Sequence, residues 1–272
     1  MTRDVRRILL TNDDGIDAPG LLALLAPLGR FGEVTVVAPV DEQSGVSHSI
    51  VYRRAVHARR RTLAGNVTAW AVDAYPVDCV KLAFDRLMPD PPDLVVSGIN
   101  RGANLGGHLF YSGTVAAALE ASVMGVTGIA VSLGAPPSDP FWNPDPVERD
   151  RKPFDFDRAA DTFAEVLRTL EGLELGPTAI NVNIPPDGTR VRGIRWAAQC
   201  RGPMPDTYEV TRDAAGDEGF RMRSRAGEYH PDADSDRALL AQGFVTLTPL
   251  RSDLNCTETL SRLRKLDEGG AS

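Results

Sequence analysis

The sequence predicts an α/β protein built on a mostly parallel sheet flanked by helices, with a smaller hairpin-rich part at its C-terminal end. Three observations carry this expectation. Short apolar runs alternate with stretches of helical period, the pattern of βαβ units. Polar, glycine-bearing loops follow the first, second and a middle strand, where open α/β sheets bind their ligands. Beyond Pro186 the texture changes to short strands and polar turns.

Element by element, Ile8-Leu9-Leu10-Thr11 reads as the first strand. A helix follows, with Asp17 as its expected N-cap and Pro19 in the first turn, where the missing N–H costs nothing. It runs through Leu21–Leu25 and ends near Gly29. Glu33–Pro39 is the second strand. Val51–His57 and Val67–Asp73 read as a hairpin around Leu63–Asn66, with Arg59, Arg60 and Arg61 on a solvated face. Pro76 opens the next helix, through Phe84. Asp93–Ser97 is a strand, followed by a glycine-rich loop, the helix Val115–Val123 and the strand Gly128–Leu133. Residues 135–153, rich in Pro and Asp without apolar period, read as a loop or lid. A helix over Phe156–Leu170 and a strand over Ala179–Ile184 complete a core assigned to residues 1–190. In 191–272, Tyr208–Thr211 and Phe220–Arg223 flank a turn and form a hairpin arm. A strand over Phe244–Thr248 and a helix over Glu258–Leu266 follow, and this part is expected to serve oligomerisation.

Composition narrows the function. A net charge of -7 over 272 residues argues against nucleic acid as a partner, yet leaves small phosphorylated substrates open, because a bound cation reverses the local sign. Cys79, Cys200 and Cys256 lie far apart without a CxxC pair, so reduced thiols in apolar packing are expected. No stretch approaches the roughly 20 apolar residues of a membrane span. Met1–Arg7 leads into a short strand rather than a signal-peptide core, and a cytoplasmic location is the expectation.

Three clusters bring chemistry. Asn12-Asp13-Asp14-Gly15 follows the first strand. Adjacent strand residues point to opposite faces, so the two carboxylates converge only if the strand ends there, and Gly15 permits that turn. Two hard oxygen anions suit Mg²⁺ or Mn²⁺, with Ca²⁺ as a further bound ion, over a soft-ligand metal. After the second strand, Ser44-Gly45-Val46-Ser47-His48 allows close backbone approach to an anion, and Ser44 has a neutral oxygen for a metal. His48 is either a general acid or base or a structural loop histidine. After the middle strand, Asn100 can present an amide oxygen to a metal and Asn104 an amide donor to phosphate. Ser112-Gly113-Thr114 then opens a helix whose free N–H groups and hydroxyls suit an anion, or simply cap the helix.

These blocks, in this order, resemble the SurE family (survival protein E, stationary-phase 5'-nucleotidases). The similarity runs through Ile8–Gly15, Ala18-Pro19-Gly20, Val37-Ala38-Pro39, Ser44–Ser47, Val96–Asn100, Asn104-Leu105-Gly106, Tyr111–Ala118, Asn181–Pro185 and Val245–Leu250. It is dense over roughly the first half of the chain and looser after. The resemblance implies a Rossmann-like core that releases phosphate from nucleoside 5'-monophosphates, with 3'-monophosphates and polyphosphate as further substrates. It implies one divalent cation per subunit on Asp13, Asp14, Ser44 and Asn100. Asn12, Gly45, Ser47, Asn104, Ser112, Gly113 and Thr114 fall in the family's phosphate-binding neighbourhood, and Asp13, Asp14 and Asn104 are expected to act in catalysis by metal-activated water. A homodimer or homotetramer through exchanged C-terminal arms is implied too. Tyr75 departs from the family's threonine before the proline.

Rival readings fare worse. A dinucleotide-dependent oxidoreductase needs a glycine-rich pyrophosphate turn where two acids stand. A receiver-like signalling module needs an acceptor Asp after a middle strand and a later Lys, but Ser97 and Gly98 follow Val96. A haloacid-dehalogenase-type phosphatase wants acids at alternate positions, and Gly15 is two after Asp13. A purely nucleotide-binding regulator differs only by lacking turnover.

Overall fold

The computed structural model describes residues 6–134, 154–186, 189–202, 206–213, 215–224 and 232–269. The loop expected at 135–153 lies outside them. In chain order the elements are β1 (Arg7–Thr11), α1 (Pro19–Leu28), β2 (Glu33–Pro39), β3 (Ala58–Leu63), β4 (Val67–Val72), α2 (Pro76–Leu82), β5 (Leu94–Arg101), α3 (Gly113–Val123), β6 (Thr127–Leu133) and α4 (Phe156–Leu170). Then come β7 (Ala179–Ile184), β8 (Ile194–Trp196), β9 (Asp206–Arg212), β10 (Glu218–Ser224), α5 (Asp236–Ala241), β11 (Val245–Leu250) and α6 (Thr257–Gly269).

A nine-stranded sheet has the order β3-β4-β2-β1-β5-β6-β7-β11-β8. From β4 to β7 all neighbours are parallel. Antiparallel pairing enters where β3 meets β4 and where β11 meets β7. The strands after β1 build outward on one side, whereas β5, β6 and β7 build on the other. The order therefore reverses between β1 and β5, and the crevice beyond their carboxyl ends is the switch point where ligands bind in such sheets.

Alternation along each strand sorts the core into two layers. Ile8, Leu10, Val36 and Val96 pack with Leu21 and Leu24 of α1 and Phe163 and Val166 of α4. Leu9, Val37 and Val95 face the other way, against Cys79 and Val80 of α2 and Ala117 and Ala121 of α3. Buried alanines on α3 let that helix lie close to the sheet, and the Thr114 contact with Asp13 sets its N-terminus at the switch point.

Several expectations need correction. The hairpin's first strand begins at Ala58, and 51–57 is not strand. The exposed Arg59–Arg61 run lies along the resulting edge strand, where charge discourages edge-to-edge pairing. Asp17 does not cap α1: Ala18 holds that position without a side-chain bond, and Asp17 instead accepts both Arg61 amino groups at 2.8 Å. An ion pair across to β3 outcompetes the local cap. Leu94–Arg101 is a longer strand than expected, because a register shift between Ser97 and Asn100 lets pairing with β6 resume. Cys79 and Cys200 are buried free thiols, but Cys256 is exposed. Short β8 and α5 gave no periodic signal. Among the described residues no helix is long and apolar enough to cross a membrane.

Candidate active site

Strand β1 ends at Thr11, and the chain turns at once. Gly15, at φ +102°, takes a backbone conformation closed to most side chains, and the Asn12 amide nitrogen donates to its carbonyl at 2.8 Å. That turn frees Asp13 and Asp14 from strand alternation. Asp13 is buried and faces the start of α3, where the Thr114 hydroxyl and backbone N–H both donate to it. Gly113 is required at this contact, since a Cβ there would lie 2.9 Å from the Asp13 Cβ and 3.0 Å from its Oδ2. Asp14 accepts from the backbone N–H of Arg101 at the end of β5. The two acids thus bridge the three elements that meet at the switch point.

Their electrostatics ask for a cation. Burial pushes the Asp13 carboxyl up, opposed by the Thr114 donors. Burial first, then the neighbouring charges of Asp13 and Glu42, push Asp14 up to about 7. Two adjacent, largely dehydrated carboxylates are costly when ionised, and a divalent ion offsets that cost. Among the described residues no group of three or more His, Cys, Asp or Glu side chains is clustered to hold a metal. The side chains near the acid pair carry oxygen donors, the type a hard ion takes. Asn100 commits its amide nitrogen to the Gly102 carbonyl at 2.8 Å, so its oxygen is the atom it has to offer. Ser44 is exposed, and its hydroxyl donates to Glu42 at 2.6 Å. The buried Asn12 Oδ1 has no partner.

The phosphate-binding candidates are differently placed. Ser112 caps α3, its hydroxyl oxygen accepting from the Val115 N–H at 3.1 Å. Gly45 sits at φ +71° with nothing near its Cβ position. Ser47, at φ +58°, gives its hydroxyl to the Phe110 carbonyl at 2.6 Å and its N–H to Tyr111 at 3.0 Å. Asn104 is buried inside an amide network. Its N–H donates to Asn183 and its amide to Ser132, while Asn181 and Asn183 donate to its carbonyl, all within 2.8–2.9 Å.

A family model described as Survival protein SurE matches residues 8–205. The chain belongs to the SurE family. It is 37% identical over 262 residues to a protein from Syntrophobacter fumaroxidans named 5'-nucleotidase SurE, covering 95% of this chain and 98% of that one. A protein of the same name from Carboxydothermus hydrogenoformans is 39% identical over 263 residues, covering 95% of each. The crystal structure of a SurE protein from Aquifex aeolicus matches with a TM-score of 0.75 at 30% identity, over 96% of this chain and 99% of that one.

Sequence reasoning missed several residues around this SurE site. Asn181 and Asn183 point to one face of a strand whose every residue is buried, and that polar alternation was a readable signal. Asp236, fully buried, accepts from the N–H groups of Gly106, Cys200 and Arg237 at 2.7–3.0 Å. Gln199 donates to the Gly106 carbonyl at 2.9 Å. The two ends of the hairpin arm are thereby fastened to the loop carrying Asn104, which no local pattern reveals.

Proposed function

We propose that the chain is a divalent-metal-dependent 5'-nucleotidase that hydrolyses nucleoside 5'-monophosphates. The observation that carries this reading is the buried Asp13–Asp14 pair set against the N-terminus of α3 at the switch point. The shared name of its relatives supports the substrate class.

Asp13, Asp14, Ser44 and Asn100 would hold the cation, Mg²⁺ or Mn²⁺, with oxygen atoms of their side chains. Such an ion polarises a phosphoryl oxygen and lowers the pKa of water. The Gly113 N–H at the start of α3, the Ser112 hydroxyl and the backbone N–H groups of Gly45 and Val46 would receive the phosphate oxygens, the Thr114, Val115 and Ser47 N–H groups being taken by Asp13, Ser112 and Tyr111. The second amide hydrogen of Asn104, beyond the one given to Ser132, steadies the charge that develops on phosphorus oxygens. Asn12 presents its buried oxygen from the same turn. With the ion bound, a carboxylate oxygen of the pair not engaged on it would be placed to take up a proton. The reading extends to 3'-monophosphates and polyphosphate as secondary substrates, and to a cytoplasmic homodimer or homotetramer joined through its C-terminal arms, residues 191–272 forming the assembly part.

The experiment is a metal-by-substrate panel on purified protein. Chelator should abolish phosphate release, and Mn²⁺ or Mg²⁺ should restore it, with nucleoside monophosphates preferred over sugar phosphates. Full activity in chelator, or preference for sugar phosphates over every nucleotide, overturns the assignment.

A further inference from the structure

Glu120 lies on the buried side of α3, 4% exposed, outside the acid pair and the phosphate-binding residues. Burying an ionised carboxylate is costly unless both oxygens are satisfied. Here each oxygen meets a basic group from a different element. Lys81 of α2 donates to Oε1 at 2.9 Å, and His48 places Nε2 2.8 Å from Oε2. The His48 contact, with help from Lys81, holds the Glu120 carboxyl below the usual range against the opposing effect of burial.

His48 belongs to the loop that carries Ser44. That loop is tethered at its start, where the Gln43 N–H donates to the Asp13 carbonyl at 2.6 Å. It is tethered again at Ser47, which bonds the Phe110 and Tyr111 carbonyls just before α3. Ser47 takes a left-handed backbone at φ +58° to do so, a conformation that persists only when its surroundings hold it. Next in sequence, His48 is the loop's side-chain anchor on α3. Ser44, exposed and bonded only within the loop to Glu42, has no tether of its own.

We propose that Glu120 is a positioning residue for the cation. By gripping His48 it fixes the far end of the Ser44 loop, whose near end is fixed on Asp13, and so holds the Ser44 hydroxyl ready for the metal. Lys81 balances the charge of Glu120 without touching the loop. This rests on the metal reading of Asp13, Asp14, Ser44 and Asn100.

The test is calorimetric titration of Mn²⁺ into the full chain without nucleotide. Glu120→Gln should raise the Mn²⁺ dissociation constant about 10- to 100-fold, the range for supporting residues around metal ligands. Raising Mn²⁺ should recover its lost turnover. Removing a negative charge could by itself weaken cation binding, so His48→Ala, which removes none, must give the same shift. The double variant should be no weaker than either single one, because both cut one tether. Lys81→Met should leave the Mn²⁺ constant within twofold. Wild-type binding with unchanged constants in both Glu120→Gln and His48→Ala overturns the positioning role alone. No Mn²⁺ binding by the wild type overturns the metal reading and this inference with it. Should Glu120→Gln not fold, the exposed His48→Ala variant decides.

Discussion

Asp13 and Asp14 form a dipeptide whose carboxylates are costly to the fold when ionised. Asp13 is held by two donors of Thr114, yet burial raises its proton affinity above that of a free aspartate. Replacing it with asparagine keeps an acceptor for Thr114 and removes the buried charge. Asp13→Asn is therefore expected to melt, in chelator, no lower than the wild type, while metal-dependent phosphate release falls by at least about a hundredfold. Thermal melts and turnover measured on one preparation check both halves. A variant that is active, or inactive only because it is unfolded, contradicts the assignment. Asp14 carries a pH signature. Its folded pKa, about 7, lies above the ordinary carboxylate value, so the folded state binds the extra proton. Its contribution to stability is then full below about pH 4 and lost as pH rises through about 7. In chelator, the wild type should lose more stability between pH 5 and 8 than Asp14→Asn does. Equal losses would show that Asp14 titrates normally.

At the scale of elements, α3 gathers most of the site, and its N-terminus is built by Ser112, Gly113 and Thr114 in three distinct ways. Ser112 caps the helix, Gly113 clears space for Asp13, and Thr114 holds Asp13. Losing the cap in Ser112→Ala should cost about 1 kcal/mol. If the hydroxyl hydrogen also meets phosphate, KM for the nucleotide should rise severalfold, and the inhibition constant for inorganic phosphate should rise with it. A stability loss with both constants unchanged would leave Ser112 as a cap only. Elements of this kind were legible where local chemistry decides: the bounds of α4 and β7 agree with the sequence pattern residue for residue, because a strong helical period and a continuous apolar run leave little choice. Legibility failed where distant groups decide. Asp17 looks like a cap until Arg61 arrives from β3, and the buried anchors Glu120 and Asp236 bond to partners 39–72 and 36–130 residues away. Asp13, Asp14, Ser44 and Asn100 could be singled out as candidates from sequence because they lie at or just beyond the carboxyl ends of β1, β2 and β5, which are neighbours in the sheet. The groups that hold those loops in place could not.

On the scale of the whole molecule, the hairpin of β9 and β10 forms a separate two-stranded sheet. Its register pairs Tyr208 with Met222 and Val210 with Phe220, so four large apolar side chains share one face of the ribbon. They are 67%, 56%, 59% and 66% exposed in that order. A lone two-stranded ribbon is marginal in water, and an apolar face of this kind asks for a covering surface. A second copy of the chain is the covering surface we expect. Both ends of the arm are fastened near the site, at Gln199 and Cys200 before it and Asp236 after it, all in contact with Gly106 or with one another. Deleting residues 206–224 with a short glycine linker should therefore lower the mass measured by light scattering from that of a dimer or tetramer. Because Asp236 also bonds Gly106, two residues from Asn104, the deletion should raise KM as well. The variant Tyr208→Asp/Phe220→Asp keeps the arm's connections but places charge on its apolar face, so it should lower the mass with a smaller rise in KM. A wild type that is monomeric, or an unchanged mass in both variants, would show that the arm's apolar face is not an assembly surface.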